Sequence, residues 1–217
     1  MSEFVFDVSK VEKSYDEKSF ERSRPEPRDD VFFEFQVADA TLSQARINEE
    51  KGTGGYLNLN LKVEALDANE NVMFTKFVNV AHPAAYQGHK PHDSAGSIFG
   101  ANLSALHKEW YPYDTVTQHP SNAKKKVYTK DGVEVSKEAF AESEKTRTVN
   151  VRTLADSLIS DKESVRKATL QDLVGRRFFA KVQPDKTGQF VNVRPIVPFV
   201  TEGEVVCYDA AKAYGDK

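Results

Sequence analysis

Sulfhydryl chemistry is nearly missing from this sequence: its single cysteine, Cys207, cannot close an intramolecular disulfide, which excludes a disulfide-stapled scaffold. Cys207 lies instead in the apolar run Val205, Val206, Cys207, Tyr208, which reads as buried structure. Long hydrophobic runs are missing too. No stretch approaches the roughly 20 apolar residues of a membrane-crossing helix, and the opening MSEFVFDVSKVEKSYDEKSFER lacks the apolar core of a signal peptide. These two absences predict a cytoplasmic protein with no membrane partner. Charge of one sign is not in excess either: 30 Lys and Arg stand against 33 Asp and Glu, a formal net charge of −3. The molecule as a whole therefore announces no nucleic-acid partner, and any such case has to be local.

The 217 residues suffice for one domain with a hydrophobic core, or for one domain carrying a large insertion. Residues 1–30 are mostly charged or small and end around Pro25 and Pro27, which predicts an extended or partly ordered arm. From Val31 to Leu42 the Phe- and Val-rich VFFEFQVADATL favours a strand. After the polar loop INEEKGTGG comes the clearest period in the chain: Leu57, Leu59, Leu61 and Val63 alternate with Tyr56, Asn58, Asn60 and Lys62. That is a strand with one dry and one wet face. A turn over residues 67–71 leads into VMFTKFVNV, so 56–80 reads as a hairpin.

Beyond a loop rich in Pro, Gly and His, the three- and four-residue spacing of Phe99, Leu103, Leu106 and Trp110 predicts a helix. Residues 111–152 are the least regular part, with a hairpin signal at Asp131-Gly132 between short β-prone runs, and read as an insertion. Helices are expected around 153–159 and 162–174, the second stopped by Gly175. Strands RRFFAKVQ and QFVNVRPIV follow, joined by a turn at PDKTG. The expected fold is mainly β with helical insertions: a five-stranded OB-type β-barrel with a helix between strands 3 and 4. The expected organisation is an arm at 1–30, an OB-fold domain at 31–208 with an insertion at about 111–152, and a tail at 209–217.

FDVSKVEKSYD, GTGGYLNLNLKVEA, FTKFVNV and QDLVGRRFFAKVQPDKTGQFVNVRP together resemble phage-encoded single-stranded DNA-binding proteins of the OB-fold type. The strongest piece is the glycine loop leading into YLNLNLKV; the resemblance covers the β elements and the arm, about half the chain by small-barrel proportions. It implies a protein that coats single strands during phage replication or recombination, in the host cytoplasm and in company with replication or recombination proteins. Many such proteins end in an acidic tail that recruits partners. This sequence ends AAKAYGDK, so tail-mediated recruitment is not expected.

Single strands are held by cations for phosphates and by flat groups that stack on bases. With Leu57, Leu59, Leu61 and Val63 inside, Tyr56, Asn58, Asn60 and Lys62 share the outer face, which in an OB-fold is the usual platform. On the next strand Phe74 and Val78 alternate with Met73 and Phe77, leaving both faces partly apolar; Lys76 falls on the Phe74 side and Asn79 on the other. Phe178, Ala180 and Val182 suit the core, placing Arg177, Phe179 and Lys181 outside; Val191 and Val193 likewise place Phe190, Asn192 and Arg194 outside. Tyr56, Phe179 and Phe190 serve equally well as packing under the arm or the insertion, and the cations as ordinary solvated charges. The joint pattern favours DNA.

Other motifs carry less. KGTGGY lacks the Lys-Ser/Thr ending of a P-loop and opens no helix, so a hinge at the first hairpin is the better reading. His82, His89 and His92 share a loop, but no Cys or consistent acidic partner completes a zinc site. Lys124, Lys125 and Lys126 suit phosphates yet read as a solvated loop. Asp156, Asp161 and Glu163 fall in helical or cap positions, and no Ser-His-Asp or Cys-His arrangement stands out. The expectation is a binding protein without cofactor or metal, open to homo-oligomerisation. Two alternatives stand beside it: a protein-interaction or virion-associated β domain, and a metal-dependent DNA enzyme.

Overall fold

Alternation of Leu and Asn over residues 57–63 places one dry face on a strand, and everything else is built around that face. A computed structural model of the chain describes residues 6–20, 31–50, 52–184 and 191–214. Among the described residues the fold is mainly β, with four α-helices. The principal sheet takes β2 (Val31–Gln44), β3 (Leu57–Leu66), β4 (Val72–Ala81), β9 (Arg177–Pro184) and β10 (Val191–Val197) in the order β10-β9-β2-β3-β4, every neighbouring pair antiparallel. A short parallel strand, β11 (Val205–Val206), pairs with the start of β2. Three consecutive strands thus have the fourth returning beside the first, which is Greek-key order. Among the described residues the sheet is open, with β4 and β10 as its edges, and α1 (Ala95–Leu106) packs against both.

The core lies on the inner face. Phe33, Phe35, Val37, Leu59, Leu61, Val63, Val78, Val80, Phe178 and Ala180 meet Phe99, Leu103 and Leu106 of α1 and Val151, Leu154 and Leu158 of α2 (Lys137–Leu158). Phe35 stacks on Phe178 with ring centroids 5.6 Å apart, and Phe74 meets Phe33 edge-on at 5.5 Å. The helix expected from Phe99, Leu103 and Leu106 forms over 95–106, while Trp110 falls in a separate 3-10 turn, Lys108–Trp110.

The region 111–152 is more regular than its sequence suggests. Tyr111, Tyr113 and Val116 form a small aromatic core with Tyr128, Phe140 and Phe199. On it sits a second sheet, β6 (Thr115–His119), β7 (Asn122–Lys130) and β8 (Val133–Glu134), with the expected turn at Asp131-Gly132 joining β7 to β8. Helix α2 begins at Lys137 rather than near 153, capped by Ser136, whose hydroxyl accepts from the Ala139 N–H at 3.2 Å. Its first half buries only Arg147, which lies over the Tyr111 ring at 4.4 Å, so the apolar period starts only at Val151. A second helix, α3 (Glu163–Leu173), follows where the sequence predicts one.

Residues 6–20 lie on the body. Val11 and Glu12 form β1, paired with β5 (Ala85–Tyr86), and Phe6 stacks on Tyr86. Phe20 is buried against Phe99, and the chain reaches α1 through Gly96, where a Cβ would stand 2.4 Å from the Ser19 carbonyl oxygen. Tyr15 donates to Asp156 at 2.8 Å, and Lys13 pairs with the same carboxylate at 2.9 Å. Burial raises the Asp156 carboxyl, but the Lys13 and Tyr15 hydrogen bonds outweigh it and hold the group below the usual range. At the other terminus, Ala213 of α4 (Ala211–Tyr214) is buried in the main core.

Candidate nucleic-acid interface

Residues directly opposite one another in adjacent strands put their side chains on one face, so the registers map the outer surface row by row. Ser43, Asn58 and Ala81 make one row across β2, β3 and β4; Thr41, Asn60 and Asn79 the next; Asp39, Lys62 and Phe77 the third. A fourth row runs Arg177, Gln36, Glu64 and Thr75, which carries the face onto β9. Glu34 and Phe179 make the fifth. One β-bulge in β2, between Val37 and Asp39, keeps the rows in phase by letting Ala38 slip out of register.

The open part of this face is its β2–β3–β4 side. Phe77 keeps 70% of its surface in solvent, the largest exposure among the exposed large hydrophobic residues described. Around it lie hydroxyls and amides: the Asn60 amide donates to the Ser43 hydroxyl at 2.7 Å, and Asn58 and Asn79 complete the set. Lys62 pairs with Glu64 at 3.2 Å, so its charge is partly compensated, and Asp39 stands opposite it. Such a surface offers an unpartnered ring for stacking, amides for base edges and one lysine for a phosphate.

Toward β9 the face is partly covered. Phe179 is half-buried, with Lys108 Nζ 5.0 Å from its ring centre. Burial pushes the Lys108 ammonium below its usual range; neighbouring Glu34 opposes this and Arg177 adds to it. Arg177 pairs with Glu70, from the β3–β4 turn, at 2.9 Å and with Glu34 at 3.7 Å. Its hydrogen bond and charge hold the Glu70 carboxyl below the usual range. Opposite Lys181 stands Phe32, which is fully buried, so the face closes at that end.

The expected site residues therefore divide. Asn58, Asn60 and Lys62 come together with Phe77 and Asn79; Arg177, Phe179 and Lys181 continue the same face onto β9. Tyr56 immediately precedes β3 and is half-buried. Asn192 is exposed opposite Gln183. Lys76 stands opposite buried Val63, so it shares the inner face with Phe74 and Val78 and is separated from the others. Phe190 and the side chain of Arg194 lie outside the described residues. Phe77 was missing from the expected set; its signal was parity, since it alternates with Phe74 and Val78 and shares a side with Asn79.

The three loop histidines part company. His82 is fully buried, its Nε2 bonded to the Ala155 carbonyl at 3.0 Å and its Nδ1 accepting from the Ala84 N–H at 3.1 Å. His89 packs against Gly55, and His92 bonds Ser94. Among the described residues no three His, Cys, Asp or Glu side chains gather as metal ligands would, and no helix is long and apolar enough to cross a membrane. No protein-family model, curated protein or solved structure matches this chain.

Proposed function

We propose that this chain binds single-stranded DNA without sequence preference on the outer face of β2, β3 and β4, and performs no chemistry on it. The observation that carries the reading is Phe77, a ring left in water beside Lys62 and next to the Asn60–Asn79 row. An exposed ring costs solubility in the free protein and is a stacking surface once a base arrives. The strand order supports an OB-type module, in which the barrel is partly open, a helix lies between the third and fourth strands, and strands 2 and 3 form the platform. Arg177, Phe179, Lys181 and Asn192 then extend the track beyond the platform. The resemblance in the β elements extends the reading to a phage-encoded protein of the host cytoplasm. There it keeps strands unpaired and protected during replication or recombination, alongside the proteins of those processes.

One observation favours a second reading. β4 is an edge strand among the described residues and carries the exposed Phe77, so a second copy packed over this edge and its outer face would cover the ring and leave no platform. Titration of a fluorescent oligo-dT strand across salt, with and without Mg²⁺, joined to sedimentation of the free protein, separates the readings. DNA binding with a log–log salt slope of roughly −3, as a few neutralised phosphates give at about −0.7 each, supports the first. Absence of binding, or salt-independent binding, overturns it, and a stable dimer without DNA affinity establishes the second. Cleavage of the strand in Mg²⁺ would overturn the claim that no chemistry occurs.

A further inference from the structure

Lys124, Lys125 and Lys126 are not in a loop: they lie in β7, near the tip of the β6–β7 hairpin, and all three are exposed. The ladder explains their arrangement. Gln118 pairs with Lys126 and His119 with Asn122, so Ala123, Lys124 and Lys125 face no partner residue and bulge out of register. The bulge is held at its start by Asn122, whose side-chain carbonyl accepts from the Lys124 N–H at 3.1 Å. Among the described residues no carboxylate lies within ion-pair distance of any of the three lysines, in contrast to Lys62 and Arg177 on the platform. The acids of the hairpin, Asp114, Asp131 and Glu134, gather at the opposite end of β7. The base is anchored where Val116 and Tyr128 enter the small aromatic core, so the tip is presented by a fixed element.

We propose that the tip of the β6–β7 hairpin is a second contact for the single strand, in which Lys124, Lys125 and Lys126 neutralise its phosphates. The inference rests on the proposed single-strand binding and adds a site to it. Three adjacent ammonium groups without counter-charges fit a polyanion, and lysine, a hydrated point charge with rotatable donors, suits phosphates in no fixed geometry. Residues 118–126 hold no Phe, Tyr or Trp, and the one ring, His119, is half-buried and bonded to Ser121, so this contact reads charge more than bases. Platform and hairpin therefore divide the work: stacking at Phe77, which is insensitive to salt, and counterion release at the tip.

The test compares the full chain with Lys124→Ala/Lys125→Ala/Lys126→Ala, the corresponding triple Arg variant, and Phe77→Ala. Oligo-dT affinity is measured across salt, with a thermal melt of each protein. Three lost phosphates at about 0.7 each reduce the slope by about 2, and weaken binding roughly a hundredfold at 0.1 M salt if the ionic contribution vanishes at 1 M. The triple Arg variant keeps the wild-type slope, and Phe77→Ala loses affinity with the slope unchanged. A triple Ala variant that melts and binds like wild type overturns the hairpin contact and leaves the platform standing. If Phe77→Ala binds normally while the triple Ala variant loses its slope, the hairpin stands and the platform falls. Wild-type protein that does not bind the strand overturns both.

Discussion

Replacing Phe77 by Ala tests the platform most directly, because the structure predicts a large effect on binding and a small one on folding. With 70% of the residue in solvent, only about a third of its surface is covered. Full burial of a Phe side chain contributes about 1.5–3 kcal/mol, so the covered part contributes under about 1 kcal/mol. For a chain of this size that shifts Tm by less than about 4 °C. Loss of a stacked base, by contrast, costs about 1–3 kcal/mol, a roughly 5- to 150-fold rise in Kd. Phe178→Ala is the matching control: its ring is fully buried against Phe35 and should cost about 3–5 kcal/mol of stability. Phe77→Leu separates stacking from bulk, since it keeps an apolar side chain without a π face; its Kd should follow Ala, while Phe77→Trp retains affinity. Fluorescence anisotropy with oligo-dT and differential scanning calorimetry on wild type and these four variants decide the matter. A Phe77→Ala protein that binds within twofold of wild type would refute the reasoning, as would one whose Tm falls as far as that of Phe178→Ala.

Two further predictions concern the frame that holds this face. Burial drives the His82 imidazole down to about 4 from an ordinary 6.5, against the opposing hydrogen bond to Ala155. The unfolded chain therefore takes up this proton first as pH falls: the contribution is complete above about 6.5 and drains away toward pH 4, to a total of about 3 kcal/mol. NMR titration of the five histidines should find one ring that stays neutral to near pH 4; a full set titrating near 6.5 would refute the burial argument. In the glycine loop, Gly54 sits at φ +95° with a would-be Cβ 2.0 Å from the Arg46 carbonyl oxygen, whereas Gly52, at φ +60°, meets nothing within 4 Å. Gly52→Ala should cost about 1–2 kcal/mol from the left-handed backbone alone, and Gly54→Ala clearly more, read as urea midpoints. Equal midpoints would mean the loop does not hold the Asn48–Thr53 bridge and its close approach in solution.

Some of this protein is decided by local chemistry. Leu57, Leu59, Leu61 and Val63 are buried while Asn58, Asn60 and Lys62 are not, because a period of two on a strand with one dry side admits a single phase. The Asp131-Gly132 turn and the spacing of Phe99, Leu103 and Leu106 are local in the same sense. Helix α2 was legible only around 153–159, since its first half rests on a cap, on Arg147 over Tyr111 and on Phe140 against Tyr113 and Tyr128, which together leave no apolar period. Whether an outward-facing position stays open is not local at all. Phe32, Phe179 and Phe77 all point outward by parity, yet Phe32 is buried, Phe179 lies under Lys108, and Phe77 stands in water. Alternation determines which side of a strand a residue takes, but covering that side needs segments distant in the chain. The register of the sheet, the 3-10 turn after α1 and the docking of β11 are set by packing across those distances, and they decide which part of the face remains for a ligand.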